Sequence, residues 1–373
     1  MSWKSGTASC ATAVLICSSS AILIGSNKET ADNMATKPDH SAPMANPSRI
    51  IELSTAYWGS QTLITANRLG IFDVLAGGPL SSAEVSERLQ LNERMTVLFL
   101  NACVGLGLCE KEGGRFSNSR ASEVFLVSAS PAAMGNSISF MDDIYATWGD
   151  LEAALRSGQP AKQAITYLGD DKEQTRHFVY SMHDRAMAIG RALPDVVDLQ
   201  GKRRMLDVGG GPGTFSALLT GRFAGLKSDV LELEGVAAVG EEILADTGAA
   251  DRVQMIRGDY HKSDFGSGYD VVLMSGMFHR ETAASCRQLI AKAHGCLEPG
   301  GILIVNDVFT DEDGTTPEFS ALFGITMMLT APHGCVHADA EVAAWMSDAG
   351  FADIERKPFP PPMPHRVVMG VRS

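Results

Sequence analysis

Met205-Leu206-Asp207-Val208-Gly209-Gly210-Gly211-Pro212-Gly213 is an apolar run carrying an acid, and it breaks into a glycine-rich turn before the helical stretch TFSALLTGRF at 214–223. The order reads as strand, turn, helix. Glycines permit the turn and let backbone N–H groups approach a ligand closely. The spacing is G-x-G-x-G with an acid two residues before the first glycine, whereas dinucleotide folds prefer G-x-G-x-x-G and need no acid there. A carboxylate at that place suits a cationic ligand better than a pyrophosphate. The ammonium and sulfonium of S-adenosylmethionine fit it.

Four more β-rich runs follow: SDVLELE (228–234), VQMIRGD (253–259), YDVVLMSGMF (269–278) and GILIVNDVF (301–309), each separated by a helical or polar stretch. This alternation predicts an α/β domain with a Rossmann-like, mostly parallel sheet covered on both faces. Ligands sit beyond the carboxyl ends of such strands. Glu232, nineteen residues after Gly213, is placed to accept from ribose hydroxyls. Asp259 can accept from an adenine amino group while Tyr260 flanks the ring. Each of these acids alone is compatible with an ordinary turn. At the ends of three successive strands, in the order a nucleoside requires, they define with Asp207, Gly209, Gly211 and Gly213 a cofactor site for S-adenosylmethionine.

His279 and Asp307 fall at the ends of the fourth and fifth runs, which should be neighbours. An imidazole there can take a proton from an attacking hydroxyl, and a carboxylate behind it can fix the tautomer. The plainer alternative makes His279 a loop histidine and Asp307 a helix cap. Tyr145, His183, Arg280 and His333, with His337, are candidates for an acceptor pocket. No metal site is expected.

The 373-residue chain is 45% hydrophobic and 20% charged, enough for one large or two medium domains and unlike a disordered or fibrous chain. Its 44 acids against 31 lysines and arginines give a formal charge of −13, which disfavours nucleic acid as a partner. The seven cysteines (10, 17, 103, 109, 286, 296, 335) show no CxxC and no metal-ligand spacing, and read as free thiols in a reducing compartment.

Residues 1–46 read as a disordered extension or a targeting segment. The apolar 11–25 stretch is short of the ~20 residues a spanning helix needs and is interrupted by serines, so no stable membrane insertion is expected. An acid-free, serine-rich start resembles a transit peptide but lacks arginine; a start at Met34 or Met44 is the other reading. Localisation is cytoplasmic, or organellar if residues 1–33 are a transit peptide. In 47–130, helical spacing, a capping box at Ser81-Ser82-Ala83-Glu84, a second helix after Asn92 and a hairpin at Gly113-Gly114 outline a winged helix. Residues 81–95 hold three glutamates against two arginines, which favours dimerisation over DNA binding. Residues 131–200 form a helical connector contributing to the acceptor pocket, and 201–373 form the S-adenosylmethionine-binding domain.

From residue 50 onward the chain resembles the S-adenosylmethionine-dependent O-methyltransferases of the caffeate, acetylserotonin and hydroxyneurosporene type. The family's DVGGG falls on Asp207 to Gly211, its ribose acid on Glu232, its G-D-x-F acid on Asp259, its catalytic histidine on His279, its partner carboxylate on Asp307 and its closing A-G-F on Ala349-Gly350-Phe351. Cys286 lies seven residues after the histidine, as in many plant members. The resemblance implies a homodimer through a winged-helix domain and a class I methyltransferase domain. There are departures: H-D-W is His279-Arg280-Glu281, a second flanking glutamate is Val336, and a cofactor-contacting lysine is Ser275. The SGMFHRET and MMLTAPHGCVHADAEVAAWM segments are similar to the methylthiohydroxybutyrate S-methyltransferases of dimethylsulfoniopropionate synthesis. O-methylation of a hydroxylated small molecule and S-methylation of a thioether acid both remain open, as does a non-catalytic winged-helix regulator.

Overall fold

The computed structural model describes residues 46–161, 168–169, 171–361 and 363–373. The readings of the first 45 residues, Cys10 and Cys17 among them, lie outside the described residues. Contacts divide the chain into Met1–Glu52 and Leu53–Ser373. The first is described only over 46–52, the start of the first helix; the second holds the rest of the described chain.

The N-terminal elements are α1 (Ser48–Leu69), α2 (Ile71–Ala76), β1 (Leu80–Ser81), α3 (Ser82–Leu89), α4 (Glu93–Gly105), β2 (Cys109–Glu112), β3 (Arg115–Asn118) and α5 (Arg120–Phe125). α3 starts where the sequence says it should: the Ser81 hydroxyl accepts from the Glu84 amide, and the Glu84 carboxylate accepts from the Ser81 amide. Asn92 caps α4 in the same way through Met95 N–H. β2 and β3 form the hairpin around Gly113-Gly114, and β1 pairs with β3 to complete a three-stranded sheet. Phe72, Leu100, Cys103 and Phe116 fill its core.

Helices α6 (Gly135–Trp148), α7 (Leu151–Ser157), α8 (Lys172–Gly190) and α9 (Leu193–Val196) lead to the larger sheet. It contains β4 (Arg204–Val208), β5 (Lys227–Glu232), β6 (Val253–Arg257), β7 (Tyr269–Ser275), β8 (Leu297–Val308), β9 (Phe351–Pro358) and β10 (His365–Arg372), interleaved with α10 (Thr214–Arg222), α11 (Glu234–Asp246), α12 (Ala283–Cys296), α13 (Glu318–Thr330) and α14 (Asp339–Asp348). Strand order is β6-β5-β4-β7-β8-β10-β9. The first five are the anticipated parallel runs; β10 lies antiparallel to β8, and β9 antiparallel to β10. Side chains alternate between two buried faces. Val272, Met274, Leu303 and Val305 pack under α12 and α14, while Val271, Leu273, Ile304 and Val367 pack with Leu219 and Phe223. Both faces are therefore spent on packing, and the carboxyl edge of the sheet is left for chemistry.

Gly334, in the connection after α13, shows how tightly that edge is held. A Cβ there would lie 2.0 Å from the Met327 carbonyl oxygen, a backbone atom. The next residue, Cys335, donates its N–H to the His279 carbonyl at 3.0 Å. Gly334→Ala is expected to destabilise the protein by about 2–3 kcal/mol, seen as a lower urea midpoint; an unchanged midpoint would refute the packing.

Candidate active site

The turn after β4 is built over a buried acid. Gly209, Gly211 and Gly213 have φ of 64°, 56° and 74°, which L side chains rarely adopt. Gly210 is needed for a different reason: its Cβ would meet the Asp207 carboxylate carbon at 2.5 Å. Asp207 is fully buried; its Oδ2 accepts from the Ser216 hydroxyl at 2.6 Å, and Ser216 in turn meets Ser228 at 2.8 Å. Its Oδ1 is buried and has no hydrogen-bond partner among the described residues. Burial, against the Ser216 hydrogen bond and with the Glu232 charge, pushes the Asp207 carboxyl up to about 7.

Glu232 closes β5 and is buried, its oxygens accepting the Gly211 amide at 2.9 Å and the Leu233 amide at 2.8 Å. Burial pushes its carboxyl up, opposed by the Leu233 and Gly211 amides and by the charge of Arg280. Asp259, after β6, accepts from the His261 amide and pairs with Lys262 at 3.0 Å. The Tyr260 ring lies against Gly209, and its hydroxyl donates to Glu281 at 2.7 Å. Asp207, Glu232, Asp259 and Tyr260 thus line one edge of the sheet with the glycine turn.

β7 and β8 run side by side, with Ser275 opposite Asn306. Ser275 accepts from the Asn306 amide group at 2.9 Å. Beyond β7 a short 3-10 turn, Phe278–Arg280, presents His279. Its Nδ1 lies 2.6 Å from Asp307 Oδ1, its backbone N–H donates to Asp307 Oδ2 at 3.3 Å, and its ring edge packs on Phe323 at 5.0 Å. Burial pushes the Asp307 carboxyl up, but the His279 imidazole and the Val308 amide outweigh it and hold the acid below its ordinary range. His279 and Asp307 form a polarised dyad, with Nε2 left unpartnered among the described residues.

The candidate acceptor residues do not gather at this dyad. The His183 Nδ1 sits 2.7 Å from the Thr214 hydroxyl, at the start of α10 beside the glycine turn. Arg280 acts electrically on Glu232 and Tyr260, which places its charge toward those two residues. His333 and Tyr145 are exposed. His337 is buried against Trp345, its Nε2 3.0 Å from the Glu281 carbonyl, so it ties the 3-10 turn to the loop before α14. Val336 packs with Val308, Phe323 and Met327.

Three residues outside the named candidates also bear on this edge. Glu281 is buried and gathers Tyr260, the Ser285 hydroxyl at 2.6 Å and His261 at 3.2 Å. Arg185 lies over Phe323, and His365, on β10, stands opposite Val308. Neither His365 nor Arg185 lies in a sequence motif, so only the folded chain brings them here. The five described cysteines are free thiols.

A sequence profile for an O-methyltransferase domain matches residues 148–352, and one for an O-methyltransferase dimerisation domain matches residues 51–128. The chain is 29% identical, over 88% of its length and 96% of the relative's, to a 3-hydroxy-5-methyl-1-naphthoate 3-O-methyltransferase of Streptomyces sahachiroi. It is 30% identical to the tetracenomycin polyketide synthesis 8-O-methyl transferase of Streptomyces glaucescens, over 83% of this chain and 92% of that one. The fold matches human N-acetylserotonin methyltransferase, solved in complex with S-adenosylmethionine, with a TM-score of 0.79 at 23% identity, covering 91% of this chain and all of the other.

Proposed function

The chain belongs to the O-methyltransferase family, and from that premise we propose that it methylates a hydroxyl of a small molecule, with His279 as general base and Asp307 as its partner. The observation that carries this reading is the 2.6 Å contact between His279 Nδ1 and Asp307 Oδ1 at the edge that also bears the glycine turn. S-adenosylmethionine, when bound, supplies a methyl group activated by its sulfonium. The residues present suit it. Asp207 offers an unpartnered oxygen to a cation, Glu232 a carboxylate for the ribose hydroxyls, and Asp259 and Tyr260 the acceptor and the flank for the adenine.

Asp307 stays ionised and fixes Nδ1 as the donor, so Nε2 is the nitrogen free to take a proton. It removes that proton from the acceptor hydroxyl as the oxygen becomes nucleophilic. A thioether has no proton to lose, and a dyad would be idle there; this favours oxygen over the S-methylation alternative. The dyad also favours turnover over a regulator that only binds. The relatives' names, a naphthoate and a polyketide O-methyltransferase, support a small hydroxylated acceptor.

The dimerisation-domain match supports a homodimer. So do Leu53, Tyr57, Trp58, Met95 and Leu98 on α1 and α4, each more than half exposed, an apolar surface suited to a second copy. No helix among the described residues is long and apolar enough to cross a membrane.

The test is incubation with methyl-labelled S-adenosylmethionine and a panel of phenols, hydroxy acids and thioethers, with identification of the labelled atom. Label on oxygen supports the reading; label on sulfur, or binding without any product, sinks it. A second expectation concerns pH. The Asp207 carboxyl is raised to about 7, so below that pH a cation must displace a proton to bind. Cofactor affinity should therefore rise by up to about tenfold per pH unit between about pH 5 and 7 and level off above. In Asp207→Asn the calorimetric affinity should be flat over this range; the same slope in both proteins would assign the proton elsewhere.

A further inference from the structure

Arg185 flanks the dyad without taking part in it. Its guanidinium carbon lies 5.4 Å from the centroid of the Phe323 ring, the ring on which His279 packs at 5.0 Å. Cation and imidazole thus share one aromatic wall. Among the described residues no hydrogen bond or ion pair reaches the guanidinium. Asp307 attracts it electrically, but that carboxylate is committed to the His279 imidazole and to the amides of His279 and Val308. Arg185 is part-buried, and burial disfavours its charged form, so an anionic partner at the guanidinium would be favoured there.

The surroundings repeat the pattern. His365 is buried beside the same group, and its Nδ1 has no partner among the described residues. Burial and the neighbouring Arg185 pull its pKa down to about 4, so it is neutral at pH 7 and the positive charge here belongs to Arg185. Phe319, stacked on Phe323 at 6.1 Å, extends the apolar wall.

We propose that Arg185 anchors the methyl acceptor by binding a carboxylate on it, so that the substrate class is a small hydroxy carboxylic acid rather than a neutral phenol or alcohol. A guanidinium grips a carboxylate with two parallel hydrogen bonds and so fixes orientation as well as affinity. With the acid end held there, the hydroxyl end of the same molecule is turned along Phe323 toward His279. The proposal rests on the methyltransferase reading for its turnover, but not for its binding step.

Binding therefore provides the test. The full chain, saturated with S-adenosylhomocysteine, is titrated calorimetrically with para-hydroxybenzoate and with methylthiohydroxybutyrate, each beside its methyl ester. At least one acid should bind about 10–100-fold more tightly than its ester. Arg185→Met should abolish that preference while leaving ester and S-adenosylhomocysteine binding unchanged, and Arg185→Lys should restore part of it. Equal binding of acids and esters to the unmodified protein, or an equal loss of both in Arg185→Met, overturns the proposal. Arg185-dependent binding of an acid without methyl transfer would uphold the anchor and count against the reaction proposed above.

Discussion

Replacing His279 with alanine is expected to lower kcat toward a hydroxyl acceptor by about 10²–10⁴-fold, the range that a positioned general base contributes. The imidazole is not bonded to the glycine turn or to Asp207, Glu232 or Asp259, so S-adenosylhomocysteine should bind the variant as it binds the parent. The ring is mostly buried between Asp307 and Phe323; its loss gives up those two side-chain contacts and opens a small space at the sheet edge, while the turn keeps its backbone bonds to Asp307 and Cys335. Initial rates with a saturating acceptor, read beside calorimetry of the product cofactor, separate the chemical loss from a folding defect. If the rate stays within a few-fold of the parent while cofactor binding is intact, no proton needs to be removed, and the acceptor atom is one that attacks without losing one.

Asp307→Asn should be nearly as severe, at about 10²–10⁴-fold in kcat, although it changes one atom and no volume. A carboxylate can only accept, so Nδ1 must carry the hydrogen; an amide can turn its NH2 toward the ring, and Nε2 then holds the proton it ought to receive. The same substitution removes the negative charge that balances the imidazolium formed in the reaction. Because the two residues act as a unit, the double variant should be no slower than His279→Ala alone. Additive losses would mean that Asp307 works independently of the histidine, for instance by holding the Val308 end of its strand.

Features with local grammar were legible in advance. The glycine turn is written in nine consecutive residues, and its acid at Asp207 is held under Gly210 by a contact between residues three apart. The α3 capping box and the Gly113-Gly114 hairpin are equally local. Strand-end acids could be named because a parallel sheet brings all its carboxyl ends to one edge, whatever the loop lengths. What escaped is what depends on convergence. β9 and β10 are partly polar runs whose membership in the sheet comes from β10 pairing with β8 and β9 with β10, and His365 gains its meaning only from the register that sets it against Val308. Along α8, His183 and Arg185 are two positions apart and so project to different sides; their order in the chain gave no sign that the first would meet Thr214 and the second Phe323. Glu281 looked like the loss of a familiar neighbour to the histidine, and folding shows it collecting Tyr260, His261 and Ser285.

Glu232 accepts from the Gly211 and Leu233 amides. The side chain proposed to recognise the sugar is also the clasp that shapes the turn, so removing it deletes two functions at once. A cofactor analogue lacking a ribose hydroxyl deletes only one. The loss of affinity in Glu232→Ala should therefore exceed the loss caused by trimming the ligand, and the difference between them measures how much of the binding is prepared before the nucleoside arrives.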